Sequence, residues 1–168
     1  MITRLKNELH ECSRTFKHTI TVSDIKFEKF PVNILLNLVD SPGPYMNEGV
    51  VETKFTHSLK IIITEEYPYQ TPIVRWQSTI FHPNIMDPMD GGYVCTKLLR
   101  EWSFSSNLVS FIKGLESLLA NPNPDNPYVN QGCTRAAEYF NKHEYGPPKI
   151  HPQKRKSIRI VDDSEGLQ

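Results

Sequence analysis

The run Val32-Asn-Ile-Leu-Leu-Asn-Leu-Val39, followed by Phe55-Thr-His-Ser-Leu-Lys-Ile-Ile-Ile63 and Ile73-Val-Arg-Trp76, decides the fold. A fourth short run of the same character, Thr19-Ile-Thr-Val22, precedes them. Turn chemistry separates the runs, most strongly at Asp40-Ser41-Pro42-Gly43-Pro44 before Tyr45, and a Pro68…Pro72 corner precedes the last. Consecutive short strands without helices between them predict a four-stranded antiparallel meander, not a parallel sheet of βαβ units.

Helices are predicted on both sides of this meander. From Thr3 to Phe16, the residues Leu5, Leu9, Cys12 and Phe16 recur at helical spacing, with Arg4, Lys6, Asn7, Glu8 and Glu11 on the solvent side. Downstream, Ser105 or Ser106 can cap a helix running through Leu108, Phe111, Ile112, Leu115, Leu118 and Leu119. It must stop at Asn121-Pro-Asn-Pro124, because proline removes a donor and clashes with the preceding turn. Another helix is expected near Gln131 to Lys142, burying Ala136, Ala137, Tyr139 and Phe140. The fold class is therefore α+β, with a core domain over residues 1–146. Residues 147–168, basic first and acidic last, have no amphipathic period and are expected to form a mobile tail.

The chain has 168 residues, with 19 Lys+Arg against 19 Asp+Glu, so bulk charge favours neither nucleic acid nor an anionic membrane. No apolar run reaches the roughly 20 residues of a membrane span. Charges occupy Met1 to Glu8, where a signal peptide would need its apolar stretch. A cytoplasmic protein is expected, with Lys154-Arg155-Lys156 read as a nuclear-import signal, a partner contact or a solvated charge run. Three cysteines are too few, and odd in number, for a disulfide framework.

One thiol stands out. The stretch from Ile80 to about residue 107 lacks regular periodicity, and so long an irregular segment in a compact domain points to function. It holds His82-Pro83-Asn84, Cys95, Arg100 and Trp102, and is followed by Asn121-Pro-Asn-Pro-Asp-Asn-Pro127. A thiol on such a loop can be partly solvated and stabilised as thiolate, which suits a nucleophile. Cys12 falls on the apolar helix stripe and Cys133 in the helix carrying Ala136 and Ala137, both positions of packing.

Several motifs occur in order: Arg4-Leu-x-x-Glu-Leu9, Tyr67-Pro-Tyr-Gln-Thr-Pro72, Phe81-His-Pro-Asn-Ile85, Gly92-Tyr-Val-Cys95, Leu98-Leu-Arg100, Trp102-Ser103 and Pro122-Asn-Pro124. Together, over roughly residues 3 to 142, they resemble the ubiquitin-conjugating enzymes. The resemblance implies a helix, a four-stranded antiparallel sheet, an active-site loop and C-terminal helices. It implies that Cys95 accepts ubiquitin or a ubiquitin-like protein as a thioester from an activating enzyme. Cys95 then passes it to a protein substrate's lysine or to a cysteine of a ubiquitin ligase. No cofactor or metal is implied in this chain, since ATP serves the activating enzyme.

The resemblance also implies residue roles. Asn84 either donates to the tetrahedral oxyanion or braces the loop that places the donor. His82 braces the loop or acts as general base. Arg4 falls where relatives meet the activating enzyme, and Tyr69, Trp102 and Phe104 fall on the ligase-docking surface, with Trp102 alternatively in the core. Ser117, with Ser110 and Lys113, contacts the carried modifier or simply faces solvent. The chain departs from the family pattern at Asn126, where many relatives carry a carboxylate near the incoming lysine. It departs again at Lys97, where a polar or acidic residue is usual, and at Phe104, where proline is common. Met86-Asp-Pro-Met-Asp-Gly91 makes the Asn84–Cys95 interval a few residues longer than typical, and one residue is missing before Trp102. Two alternatives follow. One is an inactive variant of the same fold acting as a ubiquitin-binding scaffold, and the other is a cysteine hydrolase.

Overall fold

Residues 1–24, 26–95 and 101–147 are described by the computed structural model. Lys97, the Leu98-Leu99-Arg100 run, the basic run Lys154-Arg155-Lys156 and the apolar Ile158-Arg-Ile-Val161 lie outside the described residues. In chain order the elements are α1 (Ile2–Thr15), β1 (Thr19–Val22), β2 (Val32–Leu38), β3 (Gly43–Asn47), β4 (Val50–Lys54), β5 (His57–Ile63), β6 (Ile73–Trp76), a 3₁₀ turn (Pro88–Asp90), α2 (Leu108–Ala120) and α3 (Gln131–Lys142).

The expected four strands form one antiparallel sheet in the order β1-β2-β5-β6. Strict alternation in β2 and β5 sends Val32, Ile34, Leu36, Leu38, Leu59, Ile61 and Ile63 to one buried face. That face shares a single core with Leu5 and Cys12 of α1 and with Leu108, Phe111, Leu115 and Leu119 of α2.

Between β2 and β5 the sequence reading needs a correction. The Asp40–Pro44 segment was expected to be a turn, but Gly43 and Pro44 begin a separate hairpin, β3–β4. The reversal lies further on, at Glu48 (φ 47°) and Gly49 (φ 85°), the two positive-φ positions of a mirror-image two-residue turn. Gly43 is needed for packing: a Cβ there would stand 2.3 Å from Leu119 Cδ1, so only glycine lets β3 press against α2.

Glu8 is the second correction. It was expected on the wet side of α1, yet it is buried. Its carboxylate accepts from Arg4 Nε at 2.7 Å, from the buried Tyr67 hydroxyl and from the Leu108 backbone N–H at 2.9 Å. The last contact satisfies one of the orphan donors at the start of α2 and adds negative charge at its positive end. Burial and this carboxylate push the Tyr67 hydroxyl pKa well up. The N-cap of α2 is Asn107, not Ser105 or Ser106. Its side chain accepts from Ser110 N–H at 2.8 Å, and Ser110 reaches back to complete the capping box. Replacing Glu8 by Ala removes the acceptor of the Tyr67 hydroxyl, of Arg4 Nε and of the Leu108 N–H together. Urea unfolding should then show a loss of about 3 kcal/mol or more, with Glu8→Gln retaining part of it.

Candidate active site

The stretch from Ile80 to Cys95 is pinned rather than irregular. Isolated antiparallel bridges join His82 to Ile85, Ile85 to Val94 and Tyr93 to Arg75 of β6. The Trp76 N–H donates to the Gly92 carbonyl at 2.7 Å and the Met86 N–H to the Tyr93 carbonyl at 2.8 Å. Asp87 organises the added residues by accepting from Met89 N–H at 3.0 Å and Ile80 N–H at 3.2 Å. Gly91 (φ 104°) and Gly92 (φ 64°) then turn the chain back towards Cys95.

Asn84 sits at the centre of this frame and is buried. Its Nδ2 donates to the carbonyls of Asn123 and Asn126, both at 3.0 Å, while its Oδ1 accepts from Asn123 N–H at 2.8 Å. Both amide hydrogens are thus committed to the segment that follows α2. The Asn84 carbonyl accepts from the Cys95 N–H at 2.8 Å, and the Pro83 carbonyl accepts from Tyr128 N–H at 2.8 Å. One short motif therefore ties the cysteine loop to the 121–128 loop.

His82 is buried, and burial lowers its pKa to about 3. Nδ1 accepts from the Asn84 N–H at 3.0 Å, leaving Nε2 to donate to the Leu118 carbonyl of α2 at 3.0 Å. With both nitrogens engaged, the ring is a neutral brace and has no lone pair to offer a proton. Cys95 is half-buried at the end of the pinned loop. Cys12 and Cys133 are buried, with pKa values pushed up to about 12 and about 11, chiefly by desolvation. Asn126 is exposed, and the contact it makes to Asn84 is through its backbone.

Among the described residues, no cluster of three or more His, Cys, Asp and Glu could hold a metal ion, and no helix is long and apolar enough to cross a membrane. Against known proteins, the sequence matches the model of the family described as ubiquitin-conjugating enzyme over residues 4–146.

The chain belongs to the ubiquitin-conjugating enzyme family.

Ubiquitin-conjugating enzyme E2 3 of Arabidopsis thaliana is 37% identical over 109 residues, covering 65% of this chain and 65% of that protein. Among solved structures, S. cerevisiae Ubc12 is 29% identical with a TM-score of 0.66, covering 84% of this chain and 71% of that one. A ubiquitin conjugating enzyme of Toxoplasma gondii, 22% identical with a TM-score of 0.60 and covering 85% and 88% of the two chains, shares the fold.

The remaining residues singled out in this conjugating-enzyme chain fall in two places. Tyr69 and Phe104 are 78% and 59% exposed, and their rings lie 5.4 Å apart. Arg4, read from the sequence as part of a separate surface, joins them: its Cζ stands 4.9 Å from the Phe104 ring centroid. Arg4 also donates to the Ser106 carbonyl, so it is half-buried in the fold and not a free cation on α1. Trp102 is half-buried between Tyr67 and Phe111, and its Nε1 donates to the Pro68 carbonyl at 2.7 Å, which fits the core alternative. Ser117 is exposed on α2 with Ser110 and Lys113.

Sequence reasoning missed a neighbouring group. Tyr93, two residues before Cys95, lies under the Arg75 guanidinium at 3.8 Å and stacks on Tyr128 at 6.3 Å. The aromatic beside Gly92 was a legible signal for Tyr93. Nothing local announced Arg75 or Tyr128.

Proposed function

We propose that Cys95 carries ubiquitin or a ubiquitin-like protein as a thioester and transfers it onward. The Cys95 thiolate attacks the carbonyl of the activating enzyme's thioester, and the tetrahedral oxyanion collapses to expel that enzyme's thiolate. In the second transfer, the amine of a substrate lysine, or the thiolate of a ligase cysteine, attacks the new thioester and Cys95 leaves as thiolate. Sulfur–acyl exchange requires no cofactor from this chain, so rate depends on orientation and on stabilising the oxyanion.

The observation carrying this reading is the contrast among the three thiols. Cys12 and Cys133 are buried and held protonated, whereas Cys95 ends a loop braced through His82 and Asn84. Incubation with activating enzyme, ATP and a panel of modifiers should yield a reductant-sensitive adduct. It should vanish in Cys95→Ala and survive in Cys12→Ala and Cys133→Ala. Absence of any adduct in wild type would overturn the reading.

Asn84 acts here as a positioning residue, because both its hydrogens are spent on carbonyls. Asn84→Asp keeps the acceptor for Asn123 N–H but aims a carboxylate oxygen at two carbonyl oxygens. It should therefore melt lower than Asn84→Ala, which itself costs about 1–3 kcal/mol. Both variants should slow transfer. An activity loss with unchanged melting in both would instead make Asn84 a pure oxyanion donor.

A further inference from the structure

Strand β1 is the outer strand of the four-stranded sheet, and β2 pairs with only one of its sides. The Ser23 N–H donates to the Asn33 carbonyl at 2.9 Å, so Ser23, Thr21 and Thr19 turn their backbone groups towards β2. By alternation, the N–H and C=O groups of Ile20 and Val22 face the outer edge, a template for one more strand. The side chains of Ile20 and Val22 pack against the core, whereas Thr19 and Thr21 are exposed. Beside this edge, Leu9 of α1, Val22 and Phe27 line an apolar groove with Lys6, whose Nζ stands 5.5 Å from the Phe27 ring centroid. A strand added here must alternate apolar and polar residues, with its apolar side turned towards that groove.

Residues 148–168 lie outside the described residues, and one run in them carries this alternation: Ser157-Ile158-Arg159-Ile160-Val161. We propose that residues 158–161 of the same chain add to β1 as an antiparallel strand, with Ile158 opposite Val22 and Ile160 opposite Ile20. Ile158 then fills the groove between Leu9 and Phe27, and Arg159 stands beside Thr21 on the wet face. The same register sets Lys156 opposite Asp24 and Asp163 opposite Lys17, a cation against a carboxylate at each end. Lys17 is exposed, and its contact with Asp40 is a long 3.7 Å. The parallel direction would set Arg155 against Lys17 and Asp162 against Asp24, like charges both times. The chain is long enough to reach. The Tyr145 hydroxyl meets Thr53 Oγ1 at 3.2 Å, and the adjoining Lys54 lines one surface groove with Thr19. The described chain therefore ends on the side of the sheet where β1 begins. From there, residues 148–157 extend to about 35 Å, well beyond the length of β1.

The docked segment closes a sheet edge that otherwise invites a strand from a second copy. It stands apart from the chemistry of Cys95. Residue-resolved amide hydrogen exchange of the full-length protein, at low and at high protein concentration, is the test. In wild type, the Ile20 and Val22 amides should exchange about tenfold more slowly than in the double variant Ile158→Asp with Ile160→Asp, while the Thr21 and Leu36 amides stay unchanged. Lys17→Glu should lose part of that protection, and adding Asp163→Lys should restore it. Equal exchange of Ile20 and Val22 in wild type and the double variant would overturn the proposal. Protection that grows with protein concentration would also overturn it, assigning the edge to a second copy. A charge exchange that fails to restore protection would refute the antiparallel register.

Discussion

Gly92→Ala is expected to remove on the order of 4 kcal/mol of stability, a large part of what a domain of this size possesses. Two effects add. At φ 64° an L-residue occupies the left-handed region, which costs about 1 kcal/mol. The larger effect is steric, because a Cβ at this position would lie 2.2 Å from the Trp76 carbonyl oxygen and 2.9 Å from its nitrogen. These are backbone atoms of β6 and have no rotamer by which to escape. Relief requires moving the loop off the strand, which breaks the 2.7 Å bond from Trp76 N–H to the Gly92 carbonyl. Gly49→Ala provides the control, with a similar φ of 85° and no atom within 4 Å, and should cost only about 1 kcal/mol. Urea titrations of the two variants separate conformational strain from collision. A Gly92→Ala loss no larger than that of Gly49→Ala would refute the steric account.

Acidification should weaken the fold well before ordinary carboxylates titrate. His82 and His57 are both buried, with pKa values lowered by desolvation to about 3 and about 4. Their unfolded pKa is about 6.5, so the unfolded chain takes up protons first as the pH falls. Stability from both groups is complete above pH 6.5, declines below it, and levels off only beneath the folded values. Between pH 7 and 5 each histidine forfeits roughly 2 kcal/mol, or roughly 4 together. The lowered carboxylates Asp24, Glu52 and Glu66 also favour the folded state at higher pH, but their losses begin only near the carboxylate range. The window above pH 5 therefore isolates the imidazoles. Urea midpoints measured at pH 7, 6 and 5 should fall steadily, and a flat series would show that the rings protonate in place.

Legibility from sequence followed the range of the interactions. Strands β1, β2, β5 and β6 announced themselves through local alternation, and α3 through its apolar spacing. The β3–β4 hairpin was overlooked because proline and glycine at its start resemble a turn, although Asn47-Glu48-Gly49-Val50 carried the true signal. Glu8 was misplaced because its partners lie 59 and 100 positions away, and a charged residue in an amphipathic helix normally faces water. At the site, Cys95, Asn84 and His82 were readable from motif order. The commitment of Asn84's hydrogens was not, since it depends on carbonyls 39 and 42 residues downstream. The merging of Arg4 with Tyr69 and Phe104 escaped for the same reason, since it is a product of tertiary packing.

Helix α2 is held at both ends by side chains from elsewhere in the chain. Glu8 grips its first N–H, next to the Arg4–Phe104 contact, and His82 grips the Leu118 carbonyl in its final turn. At 1.5 Å per residue, its 13 residues form a rod of about 20 Å. The Glu8 carboxylate beside the aromatic patch and the His82 ring beneath the cysteine loop therefore fasten opposite ends of one helix.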